Sequence, residues 1–159
     1  MRLLIACGNM LRQDDGAGLL LAQQLADAWQ TSGVPVRHIE VQQLVPELAL
    51  EIADETVEEV WFVDSRLTVD ETDTAVEIRP LSPDNATSPL GHQSSPEMVL
   101  LYARMLFDKR PFADQPPAWQ ITIPGVAFGH SETLSEVCQA TLDEAVAQLS
   151  SLNGDVCYA

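Results

Sequence analysis

Two spacings of apolar residues follow one another along the chain, and their alternation predicts strands and helices in turn. Short apolar runs bounded by turn residues are typical of strands buried in a sheet, whereas apolar positions recurring every three or four residues are typical of helices. Strands are predicted at 1–7, 36–43, 59–65, 74–81 and within 116–129. Helices are predicted from about Gly16, over 45–55, within 91–108 and over 131–152.

Strands that alternate with helices predict an α/β fold, a three-layer α/β/α sandwich around a mostly parallel, twisted sheet of about five strands. The segment 74–81 alternates apolar and polar residues, which is typical of a half-exposed strand at a sheet edge. No internal repeat or linker interrupts the chain, so we expect one domain over residues 1–159.

Helix starts are indicated by capping residues. Either Asp14 or Asp15 is predicted to cap the first helix, because a carboxylate accepts hydrogen bonds from free amides and is favoured at the positive end of the helix dipole. Ser94 or Ser95 is predicted to cap the third helix, and Ser131 to open the last one.

The charge balance narrows the classes of partner. The 159 residues are 46% hydrophobic and 20% charged, which is typical of a globular protein, and 24 acidic residues against 8 basic ones give a formal charge of -16. The electrostatic field of this negative charge repels nucleic acid and anionic membranes, and neither is expected as a partner. Half of the acidic residues lie within 40–77 with one base, Arg66, and predict a solvated acidic face. The alternative is a surface that steers a basic partner or a metal ion.

The cysteines and the apolar segments indicate where the protein works. Cys7, Cys138 and Cys157 form no Cys-x-x-Cys pair and are odd in number, so a disulfide framework or a zinc site is not expected. Cys7, at the end of the first strand, is expected to be a small buried thiol. No apolar run is long enough for a signal peptide or a membrane span. We expect a soluble, cytoplasmic protein, and acidic repulsion favours a monomer.

Polar residues that could bind a metal ion or act in catalysis follow the predicted strands. Asp14 and Asp15 follow the first strand, Asp64 ends the third, and His92 precedes the helix after the fourth. In open parallel sheets, ligands bind beyond the carboxyl ends of the strands, so these residues are candidates for one site. Two carboxylates and an imidazole suit a borderline metal ion. They suit general acid–base chemistry equally well, and the residues alone do not choose between the two.

The other two histidines, and the nucleotide-binding and nucleophile motifs, do not indicate a different site. His38 alternates within a strand and is expected at the surface or in packing, whereas His130 follows the fifth strand and could reach the same edge. The glycine-rich nucleotide fingerprints and the Gly-x-Ser-x-Gly elbow are missing from the sequence. Cys7 has no nearby histidine partner, so a serine or cysteine nucleophile is disfavoured.

Three segments together resemble one enzyme family. GNMLRQDDGAG after the first strand, WFVDS at the third strand and GHQSSPEMVL before a helix resemble the hydrogenase maturation proteases, and the likeness in element order covers nearly the whole chain. The resemblance implies an endopeptidase that removes a short C-terminal extension from the large-subunit precursor of a nickel-iron hydrogenase after nickel insertion. The nickel, supplied by the precursor, is then the recognition signal. The residues implied as catalytic and metal-contacting are Asp15, Asp64 and His92.

The resemblance also implies supporting and specificity residues. Gly8, Asn9, Asp14 and Gly16 are expected to support the turn, with Asp15 directed toward the site. Several family members carry an Asp-Gly-Gly-Thr-like turn after the second strand, where this chain has VQQLVPELA. That difference resembles the branch serving bidirectional, NAD(P)-linked hydrogenases of the Hox type. The residues expected to contact the substrate there are Gln42 and Gln43.

Three mechanisms and two other functions remain open from the sequence. The acidic residues and His92 could grip the nickel held by the substrate, Asp15 or Asp14 could be the general base of aspartic-type catalysis, or the metal could act as a Lewis acid on the scissile carbonyl. A noncatalytic nickel-binding or chaperone-like adaptor is one alternative function. A small-molecule α/β hydrolase is the other.

Overall fold

A five-stranded sheet forms the centre of the protein. The computed structural model describes residues 1–87, 94–107 and 115–152. The strands are β1 (Arg2–Cys7), β2 (Val36–Val41), β3 (Glu59–Leu67), β4 (Glu77–Leu81) and β5 (Ala118–Gly125), in the spatial order β2-β1-β3-β5-β4. Every neighbouring pair is parallel except β4 and β5, which are antiparallel. The short β4 lies at the sheet edge, as its alternating sequence predicts.

Helices cover both faces of this sheet. They are α1 (Ala17–Thr31), α2 (Leu48–Ile52), α3 (Pro96–Leu106) and α4 (Glu136–Leu149). Helices α1 and α4 pack together on one face, and α2 and α3 pack together on the other. The predicted three-layer α/β/α sandwich with a mostly parallel sheet is therefore confirmed.

Strand β1 shows why the central strands are continuously apolar. Leu4 and Ala6 lie in the core under α1 and α4, whereas Leu3 and Ile5 lie in the core under α2 and α3. Successive side chains of a strand point to opposite faces, and here both faces are covered, so all four residues are fully buried.

The predicted start of α4 and the predicted cap of α1 are wrong. Helix α4 begins at Glu136 rather than at Ser131, because Ser135 is its cap and accepts a hydrogen bond from the amide of Cys138 (3.2 Å). Neither Asp14 nor Asp15 caps α1; both lie in a separate 3-10 turn that precedes it. The predicted cap of α3 is confirmed at Ser95, whose hydroxyl accepts from Met98 N (3.2 Å).

Two elements, β2 and α2, differ in their bounds from the prediction. Strand β2 ends at Val41, so Gln42 and Gln43 lie in the loop after it and not in the strand as predicted. Helix α2 is much shorter than the predicted 45–55. Among the helices of the described residues, none combines the length and the apolar character needed to cross a membrane.

Candidate active site

The start of α1 is held tightly against β3, which places the turn after β1 beside Asp64. The amide of Gly18 donates a hydrogen bond to Ser65 Oγ (3.1 Å). A Cβ at Gly18 would lie 3.0 Å from the Cα of Asp64, so only glycine permits this approach without displacement. Since β1 and β3 pair in parallel as far as Ala6 and Val63, the residues that follow in β1 come beside Asp64, although β3 itself continues to Leu67.

Gly8 and Asn9 shape the turn that carries Asp15. The Asn9 side-chain oxygen accepts a hydrogen bond from Leu11 N (2.9 Å), and its backbone oxygen accepts from Arg12 N (3.1 Å). A Cβ at Gly8 would collide with the backbone oxygen of Asp15. The chain therefore folds back on itself between these positions, at the carboxyl edge of β1.

The two adjacent aspartates of the turn have different surroundings. Asp14 is fully buried, and Asp15 is partly exposed. The Asp14 carboxylate accepts hydrogen bonds from the amides of Val126 (2.9 Å), Ala127 (2.9 Å) and Ser135 (2.8 Å), and from the hydroxyl of Ser135 (2.7 Å). Asp14 thus fastens the turn to the loop between β5 and α4, and its oxygens are occupied by these contacts.

Hydrogen bonding decides the ionisation of Asp14. Burial by itself would raise the pKa of this carboxyl group, but the donors on Ser135, Ala127 and Val126 outweigh burial and lower the pKa below its ordinary value. Asp14 is therefore held as a charged anchor.

Asp15 and Asp64 form an electrostatic pair at this edge. Burial raises the pKa of Asp64 to about 6, the hydrogen bond from the Ser65 amide (2.7 Å) opposes that rise, and the charge of Asp15 adds to it. The hydroxyl of Ser65, the neighbour of Asp64, lies 3.5 Å from the backbone oxygen of Asp15, so two of the three predicted site residues follow adjoining backbone segments, and their catalytic role stays a prediction. His92, the third, lies outside the described residues.

Cys7 belongs to the same edge, which the sequence reasoning missed. It was expected to be a buried thiol, but it is partly exposed, and its sulfur lies 3.5 Å from the backbone oxygen of Gln42. Burial, then the charges of Asp64 and Asp15, raise the pKa of Cys7 to about 12. The thiol stays protonated at neutral pH, which argues against a cysteine nucleophile. Its position directly before Gly8, at the end of the first strand, is the signal that could have revealed it.

The remaining candidates lie on β2 and in the loops after β2 and β5. His130 is exposed in the loop after β5, and that loop is tied to the turn by the Gly129 amide, which donates to Gln13 Oε1 (2.8 Å). His38 is on β2, with Nε2 3.6 Å from Glu40 Oε1. Gln42 and Gln43 are exposed. Within residues 1–87, 94–107 and 115–152, no three histidine, cysteine or acidic side chains are grouped so that they could hold a metal ion.

The raised pKa of Asp64 predicts a titration near neutral pH. We expect its carboxyl 13C resonance to move with a midpoint near pH 6, and the midpoint to fall in Asp15→Asn, because one source of the rise is removed. A raised pKa favours the protonated form in the folded state, so its stabilising contribution is complete below the unfolded value of about 3.9 and is lost as the pH rises through 6. A titration midpoint of Asp64 near pH 4 would contradict the proposed effects of its burial and of the Asp15 charge.

Comparison with solved structures identifies the fold. HybD from Thermococcus kodakarensis, a NiFe hydrogenase maturation protease, has a TM-score of 0.59 at 21% identity over 93% of this chain and 96% of that chain. The chain has the fold of the hydrogenase maturation proteases. The maturation protease HycI from Thermococcus kodakarensis KOD1 has a TM-score of 0.62 at 19% identity over 94% of this chain and 90% of that chain.

A bacterial structure extends this agreement. The hydrogenase maturating endopeptidase HybD from E. coli has a TM-score of 0.53 at 15% identity, over 94% of this chain and 90% of that chain. No protein-family model matches the sequence, and no curated protein matches it significantly. The agreement is therefore one of fold, and in this maturation-protease fold Asp15 and Asp64 of this chain lie together at the carboxyl edge of β1 and β3.

Proposed function

We propose that this protein is an endopeptidase that removes the C-terminal extension of a nickel-loaded hydrogenase large-subunit precursor. The observation that carries the proposal is the contact of the turn holding Asp15 with the segment of β3 holding the partly buried Asp64, through Ser65 and Gly18. The hydrogenase maturation proteases of the same fold support the reaction class.

The nickel ion of the proposed reaction belongs to the substrate. Carboxylate oxygens and an imidazole nitrogen suit a borderline divalent metal, so Asp15, Asp64 and His92 are the proposed contacts to it. Gripping a metal that the precursor already holds would position the scissile bond, and positioning alone lowers a reaction barrier substantially. The fixed turn supports this role, because Gly8 and Gly18 pack directly against the backbones of the two aspartates.

The alternative role of Asp15, if it does not contact the nickel, is that of general base for the attacking water. It is partly exposed and follows a turn whose neighbour, Asp14, is fully occupied by its own hydrogen bonds. Asp14 is therefore assigned to holding the turn, and Asp15 to the reaction. In its ionised form, which predominates above its pKa of about 6, Asp64 offers a carboxylate to the substrate's metal.

The finer proposal concerns which precursor is cut. Gln42 and Gln43 are exposed directly after β2, beside Cys7 of the site edge, and we assign them to contacts with the precursor. Their presence in place of an Asp-Gly-Gly-Thr-like turn supports a bidirectional, NAD(P)-linked hydrogenase of the Hox type as the substrate's source.

Intact-mass measurement tests the proposed reaction. The purified protein is mixed with large-subunit precursor in nickel-loaded and nickel-free forms, and the mass of the precursor is followed. We expect a shortened product only from the loaded form. A stoichiometric complex without a change of mass would indicate an adaptor instead, and turnover of small esters or amides without any effect on the precursor would indicate a small-molecule hydrolase.

A further inference from the structure

A groove of about 310 Å³ lies between the loop after β1 and the end of β2. Its apolar wall consists of Met10, Leu11, Leu19 and Val41. Gly8 is part of its lining and also packs against the backbone of Asp15, so the groove adjoins the turn that carries this proposed site residue. Its volume is at the lower end of the range for ligand pockets, and suits one large side chain of a peptide.

Leu11 projects into solvent from a fixed backbone. Its side chain is 60% exposed. Its amide donates to the Asn9 side-chain oxygen (2.9 Å), and its carbonyl accepts from Ser131 N (3.0 Å). These bonds fix the backbone at Leu11, and Leu19, which also lines the groove, is only 5% exposed. A preformed apolar wall of this kind is covered at low entropic cost when an apolar side chain enters.

Glu40 places a charge at the mouth of the groove. Its carboxylate accepts a hydrogen bond from Gln23 Nε2 (2.7 Å) and lies 3.6 Å from His38 Nε2. Among the described residues, no lysine or arginine forms an ion pair with it. Together with Asp15 and Asp64 it makes the edge acidic, so an acidic residue in the bound segment would be repelled.

We propose that this groove is a side-chain subsite for the polypeptide substrate. It receives one apolar side chain close to the bond that is cut, and Glu40 excludes aspartate and glutamate from the neighbouring position. The assignment rests on the proposed endopeptidase function and specifies which sequence around the bond is accepted.

A matched pair of surface variants tests the apolar wall. Met105 is 60% exposed, like Leu11, but it lies in the last turn of α3 and lines a separate groove with Pro46 and Leu50. With nickel-loaded precursor, we expect Leu11→Asp to raise KM about tenfold, equivalent to about 1.4 kcal/mol, while kcat stays within about twofold. We expect Met105→Asp to leave both constants unchanged. Equal KM values for the two variants would overturn the subsite.

A second measurement tests the charge at the mouth and does not depend on Leu11. Aspartate is placed singly at each of three positions on either side of the cut in the precursor. The wild-type enzyme is expected to lose about tenfold in kcat/KM at one of these positions, and Glu40→Gln to restore most of that loss at the same position. An identical penalty in both enzymes would overturn the role of Glu40.

The same assays distinguish a failure of the endopeptidase function from a failure of the subsite. If the wild-type protein leaves loaded precursor uncut, the endopeptidase function fails, and the subsite fails with it. If the precursor is cut while Leu11→Asp and Glu40→Gln behave as wild type, the subsite alone is overturned and the endopeptidase function stands.

Discussion

Replacement of Asp14 with alanine is expected to lower the free energy of unfolding by about 3–5 kcal/mol. The variant leaves the amides of Val126, Ala127 and Ser135 without their acceptor, at a position that is fully buried in the wild type. These hydrogen bonds are part-buried, and a donor left without a partner costs about 1–3 kcal/mol when it is buried, so three together account for the expected loss. Urea unfolding followed by circular dichroism measures the change.

The pH dependence of this effect has a definite sign. Because the pKa of Asp14 is lowered in the folded protein, its carboxylate stabilises the fold above the unfolded pKa of about 3.9. That stabilisation is lost as the pH falls through the folded value, so the difference between wild type and Asp14→Ala should shrink in acid. Asp143→Ala, at an exposed position on α4, is the control and should change stability by less than about 0.5 kcal/mol. Equal stability of the two variants would contradict the anchoring role.

Replacement of Asp15 with asparagine is expected to reduce precursor processing by at least about 100-fold. The substitution keeps the size of the side chain but removes its charge and its capacity to accept a proton. Asp27→Asn, a change of the same kind at an exposed position on α1, should process precursor at the wild-type rate. Processing is followed by intact mass, and binding of nickel-loaded precursor is followed separately by calorimetry.

The combination of binding and processing distinguishes the roles of Asp15. Binding that persists while processing is lost identifies a general base. Loss of both identifies a contact to the substrate's nickel that positions the scissile bond. Processing at the wild-type rate would exclude both roles for Asp15 and remove the main support for the proposed reaction.

The element pattern was predictable because it depends on local spacing. The apolar run of β1 and the helical spacing of α1 are written in neighbouring residues, and both elements formed where the pattern placed them. Boundaries were less accurate where a distant group decided them. Helix α4 starts at Glu136 because Ser135 is at once its cap and a partner of Asp14, more than one hundred residues earlier in the chain.

The sequence by itself determined the fold class and placed an aspartate after the first strand and another in the third, because periodicity and the order of elements are local properties. Only the tertiary structure made β1 and β3 neighbours and so paired Asp15 with Asp64. It also separated two adjacent aspartates, burying Asp14 among donors from the loop after β5 and leaving Asp15 at the edge with Cys7. The physical reason is that surrounding donors and charges decide whether a carboxylate is ionised and whether its oxygens are already occupied by hydrogen bonds. Distant parts of the chain supply most of these donors and charges.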